Sequence, residues 1–155
     1  MQNPKFTPAL IAPCGMNCAI CKAYLAYSIG VPKKRGSVTH CSGCRIRNRN
    51  CYIKRGCTKL SKNQIQFCFQ CEQMPCQKLE HLDRRYRERY SMSMVSNLRE
   101  LEENGMDTFL KNQAAKFTCP KCGDVVSVHD CKCYVCNQVA NRKKKNAQSL
   151  KKPQR

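Results

Sequence analysis

The chain has no tryptophan, and its 155 residues include only five phenylalanines and six tyrosines. So little aromatic volume excludes a large conventional core, because these side chains bury the most apolar area per residue. Acids are scarce as well: ten Asp and Glu stand against 29 Lys and Arg, for a formal charge of +19. No apolar run approaches the roughly 20 residues of a membrane span, so no transmembrane helix is expected. The opening Met1, Gln2, Asn3, Pro4, Lys5, Phe6 leads into no apolar stretch of the kind that secretory signals carry, and a cytoplasmic protein is the expectation. The three histidines, His40, His81 and His129, fall in no nucleophile or metal-water motif, which argues for a non-catalytic role. No period of roughly 20 to 50 residues suggests a repeat architecture.

What the chain does have is cysteine. Ten of its fifteen lie between residues 14 and 76: Cys14, Cys18, Cys21, Cys41, Cys44, Cys51, Cys57, Cys68, Cys71 and Cys76. The others form a second cluster, Cys119, Cys122, Cys131, Cys133 and Cys136. Small polar segments need staples, and either disulfides or metal could supply them. Repeated C-x-x-C spacing and an odd total favour metal over a closed disulfide framework.

The most specific pattern is Cys119-Pro-Lys-Cys122 followed by Cys133-Tyr-Val-Cys136. Each C-x-x-C turn can deliver two thiolates to one tetrahedral ion, and the β-favouring Val125, Val126, Ser127 and Val128 lie between the turns, so a zinc ribbon is predicted. Cys131 or His129 could substitute for Cys133. One division of the N-terminal cysteines gives Cys18, Cys21, Cys41 and Cys44 to one ion and Cys51, Cys57, Cys68 and Cys71 to another, with Cys14 and Cys76 as further candidate ligands that could replace a partner in either set, serve a third site or be structural. That makes about three zinc ions in all. An iron-sulfur cluster or labile thiolate site on the N-terminal cysteines, in a redox or metal-handling protein, is the alternative. Cys14-x-x-x-Cys18-x-x-Cys21 also has the spacing found in radical enzymes that use S-adenosylmethionine, but the chain lacks the length and strand pattern of their barrel.

Between the clusters the periodicity changes. An Ala- and Leu-rich helical stretch over 19–27 should stop at Gly30, ahead of Pro32. From Gln77, Leu79, Leu82, Tyr86 and Tyr90 mark one face of a helix, with Arg84, Arg85, Arg87 and Arg89 on the others. Ser91 or Ser93 should cap a second helix carrying Val95, Leu98 and Leu101 and ending at Asn104-Gly105, and a third should cover 107–116. Residues 1–12, with Pro4 and Pro8, read as an extended lead-in. The predicted fold is a small, metal-stabilised α+β protein: a cysteine-rich multi-zinc module over 1–76, a three-helix segment over 77–117, a zinc ribbon over 118–137 and a disordered basic tail over 138–155.

Charge follows this partition. Residues 1–76 hold twelve Lys and Arg against one acid, Glu72, whereas residues 77–116 hold eight against seven. Each four-thiolate zinc site changes the charge by −2, so three of them take +19 to +13, still a large excess that favours polyanionic partners. Lys33, Lys34, Arg35, Arg45, Arg47, Arg49, Lys54 and Arg55, interleaved with Tyr52, suit phosphate contacts and base stacking, as do Arg142, Lys143, Lys144 and Lys145 in the tail. RNA, in a ribosome-associated or other ribonucleoprotein setting, is the expected partner. An adaptor role toward protein partners is the other reading of the ribbon.

The succession Cys14-Gly-x-x-Cys18-x-x-Cys21-x-x-Tyr24, Cys41-x-Gly43-Cys44, Cys51, Cys57, Cys68-x-x-Cys71 and Pro75-Cys76 resembles an uncharacterised cysteine-rich prokaryotic family of unknown function. The likeness extends through Asp83-Arg-Arg-Tyr86, Ser93, Asn97-Leu98, Gly105-Met106 and Val128-His129. It implies zinc binding and no particular activity. Cys131 and the basic extension after Asn137 depart from the family pattern.

Overall fold

The computed structural model describes residues 5–47 and 52–136. Arg49, Cys51 and the tail over 138–155, with Arg142, Lys143, Lys144 and Lys145, lie outside the described residues.

The described chain is mostly helical. A 3-10 turn at Pro8–Leu10 comes first, and Asn17 opens a second, Cys18–Ile20, by accepting the Ala19 N–H at 3.0 Å. Helix α1 (Lys22–Ile29) follows and ends at Gly30, whose φ of 74° lets its N–H reach back to Ala26 and Tyr27. Three single turns come next, α2 (Cys44–Arg47), α3 (Tyr52–Arg55) and α4 (Thr58–Ser61), and then a 3-10 turn, Cys68–Gln70. The two long elements are α5 (Gln77–Tyr90) and α6 (Met94–Phe117). Ser93 caps α6 by accepting the Ser96 N–H at 3.0 Å. The second and third predicted helices form one element bent at Gly105, where φ of 80° and ψ of 170° are non-helical.

Pairing between extended segments is limited, among the described residues, to isolated antiparallel bridges. Ile11 pairs with Asn17, Lys34 with Val38, Thr118 with Val125, and Val126 with Cys133. The expected β part of the fold is therefore reduced to bridges. In the C-terminal segment the reason is local: Gly123 (φ 76°) and Cys131 (φ 55°) turn the chain within a few residues, so no ladder can lengthen.

α5 and α6 meet through a buried carboxylate. Asp83 accepts from Ser93 Oγ at 2.7 Å, from the Val95 N–H at 3.0 Å and from Arg87 Nε at 2.7 Å. It thereby satisfies a donor at the start of α6 and fixes the corner between the helices.

One buried cluster runs through every segment. It joins Phe6, Leu10 and Ala12 to Leu25, Leu60 and Leu79, and these to Leu98, Phe117, Val125 and Val128. The described part of the lead-in thus joins the core, with Ile11 and Ala12 fully buried. Residues 14–17 are pinned to α6 by two amides: Asn97 Nδ2 donates to the Gly15 carbonyl at 2.9 Å, and Asn17 Nδ2 to Gln113 Oε1 at 3.4 Å. The C-terminal segment is tied back by the Val128 N–H, which donates to the Ile20 carbonyl at 2.9 Å.

Candidate metal centre

The last turn of α6 hands the chain to the C-terminal cysteines. The Val126 N–H donates to the Phe117 carbonyl at 2.7 Å and the Cys119 N–H to the Asp124 carbonyl at 2.7 Å, which folds residues 119–124 into a tight turn. Ser127 and Lys132 close a second loop at 3.0 Å. These two turns bring four thiols together. Cys119 and Cys136 Sγ lie 3.6 Å apart, Cys122 and Cys133 Sγ 3.4 Å, and all four sulfurs fall within 4.8 Å of one another. Among the described residues no other group of three or more Cys, His, Asp or Glu ligands is drawn so close.

A tetrahedral ion with metal–sulfur bonds of about 2.3 Å holds its sulfurs about 3.8 Å apart, close to the 3.6 and 3.4 Å of the Cys119–Cys136 and Cys122–Cys133 pairs and within the 4.8 Å that bounds the quartet. Its electrostatics are those of a site prepared for a cation. Burial opposes a thiolate at Cys119, but N–H groups of Cys122 and Lys121, with the neighbouring Cys136 and Cys122 thiols, outweigh it and bring the group down to about 7. At Cys122 the Asp124 N–H favours the thiolate, yet desolvation and the three other sulfurs prevail and push it up to about 12. Four sulfurs at this separation cannot all ionise without a metal between them. Cys131, three residues on from Val128, stands apart from the quartet, and so does His129.

The N-terminal thiols are arranged more openly. The Cys44 N–H points at Cys18 Sγ at 3.4 Å, and the side chain of Arg45 lies near Cys18, Cys14 and Cys44. Cys21 is raised by burial, and the adjacent Cys41 adds to this. No disulfide joins any of the fourteen described cysteines. Of the sequential division, Cys18, Cys21, Cys41 and Cys44 form no close group, and the set of Cys51, Cys57, Cys68 and Cys71 includes Cys51, which lies outside the described residues. Cys76 shares a cavity of about 420 Å³ with Cys57, Cys68 and Cys71, and Cys14 shares the surroundings of Arg45 with Cys18 and Cys44.

Of the basic residues, Lys33, Lys34, Arg35, Arg47 and Arg55 are exposed and Lys54 is half-buried. Lys33, Lys34 and Arg35 stand on a small turn closed by the Lys34–Val38 bridge. Arg45 is turned inward: Nε donates to the Ile11 carbonyl at 2.6 Å, Nη2 to the Gln66 carbonyl at 3.0 Å, and the guanidinium lies 4.6 Å from the centre of the Phe67 ring. That arginine holds the lead-in against residues 66–67. Sequence reasoning passed over Lys59, whose Nζ approaches Cys71 Sγ at 3.7 Å; its place two residues after Cys57 is the only signal that could have marked it.

No helix among the described residues is long and apolar enough to cross a membrane. No curated protein and no solved structure matches the chain. The ten N-terminal cysteines fall within a family match that ends inside α5 and leaves the C-terminal quartet beyond it. Residues 10–81 of this chain match the family described as "Protein of unknown function (DUF3795)".

Proposed function

We propose that the chain is a non-catalytic, metal-stabilised RNA-binding protein of the cytoplasm, in which the C-terminal quartet is a zinc ribbon site. Zinc suits the quartet because four thiolates at tetrahedral spacing close its coordination sphere, the arrangement of a structural ion. The N-terminal cysteines hold further metal, and together these sites stabilise a fold too poor in aromatic residues to be held by its core alone.

The observation that carries the RNA reading is the concentration of positive charge on exposed side chains of the cysteine-rich segment. Residues 1–76 contain one acid, and Lys33, Lys34, Arg35, Arg47 and Arg55 all face solvent. Tyr52, 48% exposed beside Lys54 and Arg55, adds a ring on which a base can stack. Structured RNA in a ribonucleoprotein, such as the ribosome, has the phosphate density this surface suits.

Fluorescence anisotropy of the metal-loaded full chain with a structured RNA tests the reading. Affinity should fall steeply from low to moderate salt, and Lys33→Glu, Lys34→Glu and Arg35→Glu together should reduce the salt slope by about two to three. Absence of binding even at low salt would contradict it.

A further inference from the structure

The cavity shared by Cys57, Cys68, Cys71 and Cys76 differs from the C-terminal quartet in a way that bears on what it holds. Each of its cysteines stands at an element boundary. Cys57 precedes α4, Cys68 and Cys71 begin and end the 3-10 turn, and Cys76 precedes α5. The turn is anchored from outside, because the Cys68 N–H donates to the Pro13 carbonyl at 2.9 Å. It is also closed from within, the Cys71 N–H donating to Cys68 and the Met74 N–H to Cys71, each at 3.1 Å. The cavity measures about 420 Å³, and Ile53, Ile65, Met74 and Leu79 give it an apolar wall.

The same structure that draws the ribbon thiols to within 4.8 Å of one another leaves no three of these four that close. A mononuclear tetrahedral site needs sulfurs about 3.8 Å apart. A four-iron cubane, in which each iron takes one thiolate at a corner, holds them about 6 Å apart and fills the space between with its own iron and sulfide.

We propose that Cys57, Cys68, Cys71 and Cys76 bind an iron-sulfur cluster of the four-iron class. Each thiol releases its proton to solvent as its sulfur bonds one iron. Equal amounts of ferrous and ferric iron, with sulfide equal to the total iron, assemble the core with no further oxidant. The cluster with its four thiolates is an anion, and its surroundings are cationic: Lys59 Nζ sits 3.7 Å from Cys71 Sγ, and Lys78 folds over Gly56. A methyl group at Gly56 would stand 1.8 Å from Lys78 Nζ, so the lysine lies directly over this glycine at the rim of the cavity. Cys76 is the N-cap of the fourteen-residue α5 and so stands at the positive end of that helix. This assignment is independent of RNA binding, which concerns other side chains.

The test is anaerobic reconstitution of the full chain with ferrous iron, ferric iron and sulfide, followed by desalting and assay of iron, acid-labile sulfide and visible absorption. The expected result is a brown protein retaining about four iron and four sulfide per chain. Cys71→Ser and Cys76→Ser should each lower retained iron and sulfide several-fold, while Cys119→Ser should leave them unchanged and lose zinc. Wild-type chain that retains zinc but no iron and sulfide would overturn the proposal, an outcome that does not depend on how the variants fold. Iron and sulfide retained equally by wild type and both pocket variants would also overturn it.

Discussion

The backbone N–H of Lys22 donates a 3.3 Å hydrogen bond to Nδ1 of His129, across 107 residues of sequence. An amide N–H can only donate, so Nδ1 is the unprotonated nitrogen; the ring proton then sits on Nε2, 3.1 Å from Tyr86 Oη, which accepts it. The rings of Tyr86 and Tyr90 pack edge-on against the imidazole. The neutral tautomer is therefore built into the junction of α1, α5 and the C-terminal segment.

Protonating Nδ1 breaks that junction. Burial, assisted by the Lys22 charge and only partly opposed by Asp130, brings His129 from 6.5 down to about 4. The unfolded chain takes up the proton first, so the contribution of His129 to stability is complete above about pH 6.5 and is lost as pH falls toward 4. The shift corresponds to at most about 3 kcal/mol, reduced to about 2 by solvent that still reaches the ring. Denaturant unfolding of wild type and His129→Gln near pH 7 and near pH 5 reads the effect. The wild-type advantage should shrink at the lower pH; an advantage unchanged between the two would remove His129 from the account.

Gly15 makes a second long-range contact that admits no side chain. Its φ is +88°, and a Cβ there would stand 2.9 Å from the Met94 carbonyl oxygen and 3.0 Å from Leu98 Cγ. Gly15→Ala should cost about 2 to 4 kcal/mol through backbone strain and overpacking against α6. Thermal unfolding checks this, with Gly30→Ala as the comparison, since that glycine shares the positive φ but has open space around it.

At the α5–α6 corner, burial favours the neutral form of Asp83, but hydrogen bonds from Ser93, Val95 and Arg87 outweigh it and hold the carboxyl below its ordinary value. A depressed carboxylate stabilises the fold above the unfolded-state value and ceases to do so as pH falls through the folded one. Asp83→Asn puts an amide N–H₂ where two or three donors converge, and should cost about 1 to 3 kcal/mol at neutral pH. Urea unfolding measures it, and the deficit should narrow in acid, where wild type also loses the charge.

How much of this was legible beforehand depends on the range of the interaction. The α5 face of Leu79, Leu82, Tyr86 and Tyr90, the Ser93 cap and the breaks at Gly30 and Gly105 follow from spacing and local backbone preference, which neighbouring residues decide. The C-terminal quartet was legible for the same reason, because each C-x-x-C turn presets half of it. The burial of Phe6, Leu10 and Ile11 was not, nor was the inward turn of Arg45. Both depend on partners far along the chain, and a short proline-flanked apolar run looks the same in a lead-in as in a core. The grouping of Cys76 with Cys57, Cys68 and Cys71 around one cavity was not legible either, because it depends on how the 3-10 turn and the start of α5 come together.

That the cysteines hold metal, and are not paired with one another, is the claim on which the rest depends. Native mass spectrometry of the anaerobically purified chain, followed by denaturation and a second mass, tests it directly. The account predicts bound zinc in the native spectrum, a denatured mass with every thiol reduced, and loss of one zinc in Cys119→Ser. A metal-free native mass together with a denatured mass short by the hydrogens of several disulfides would contradict it.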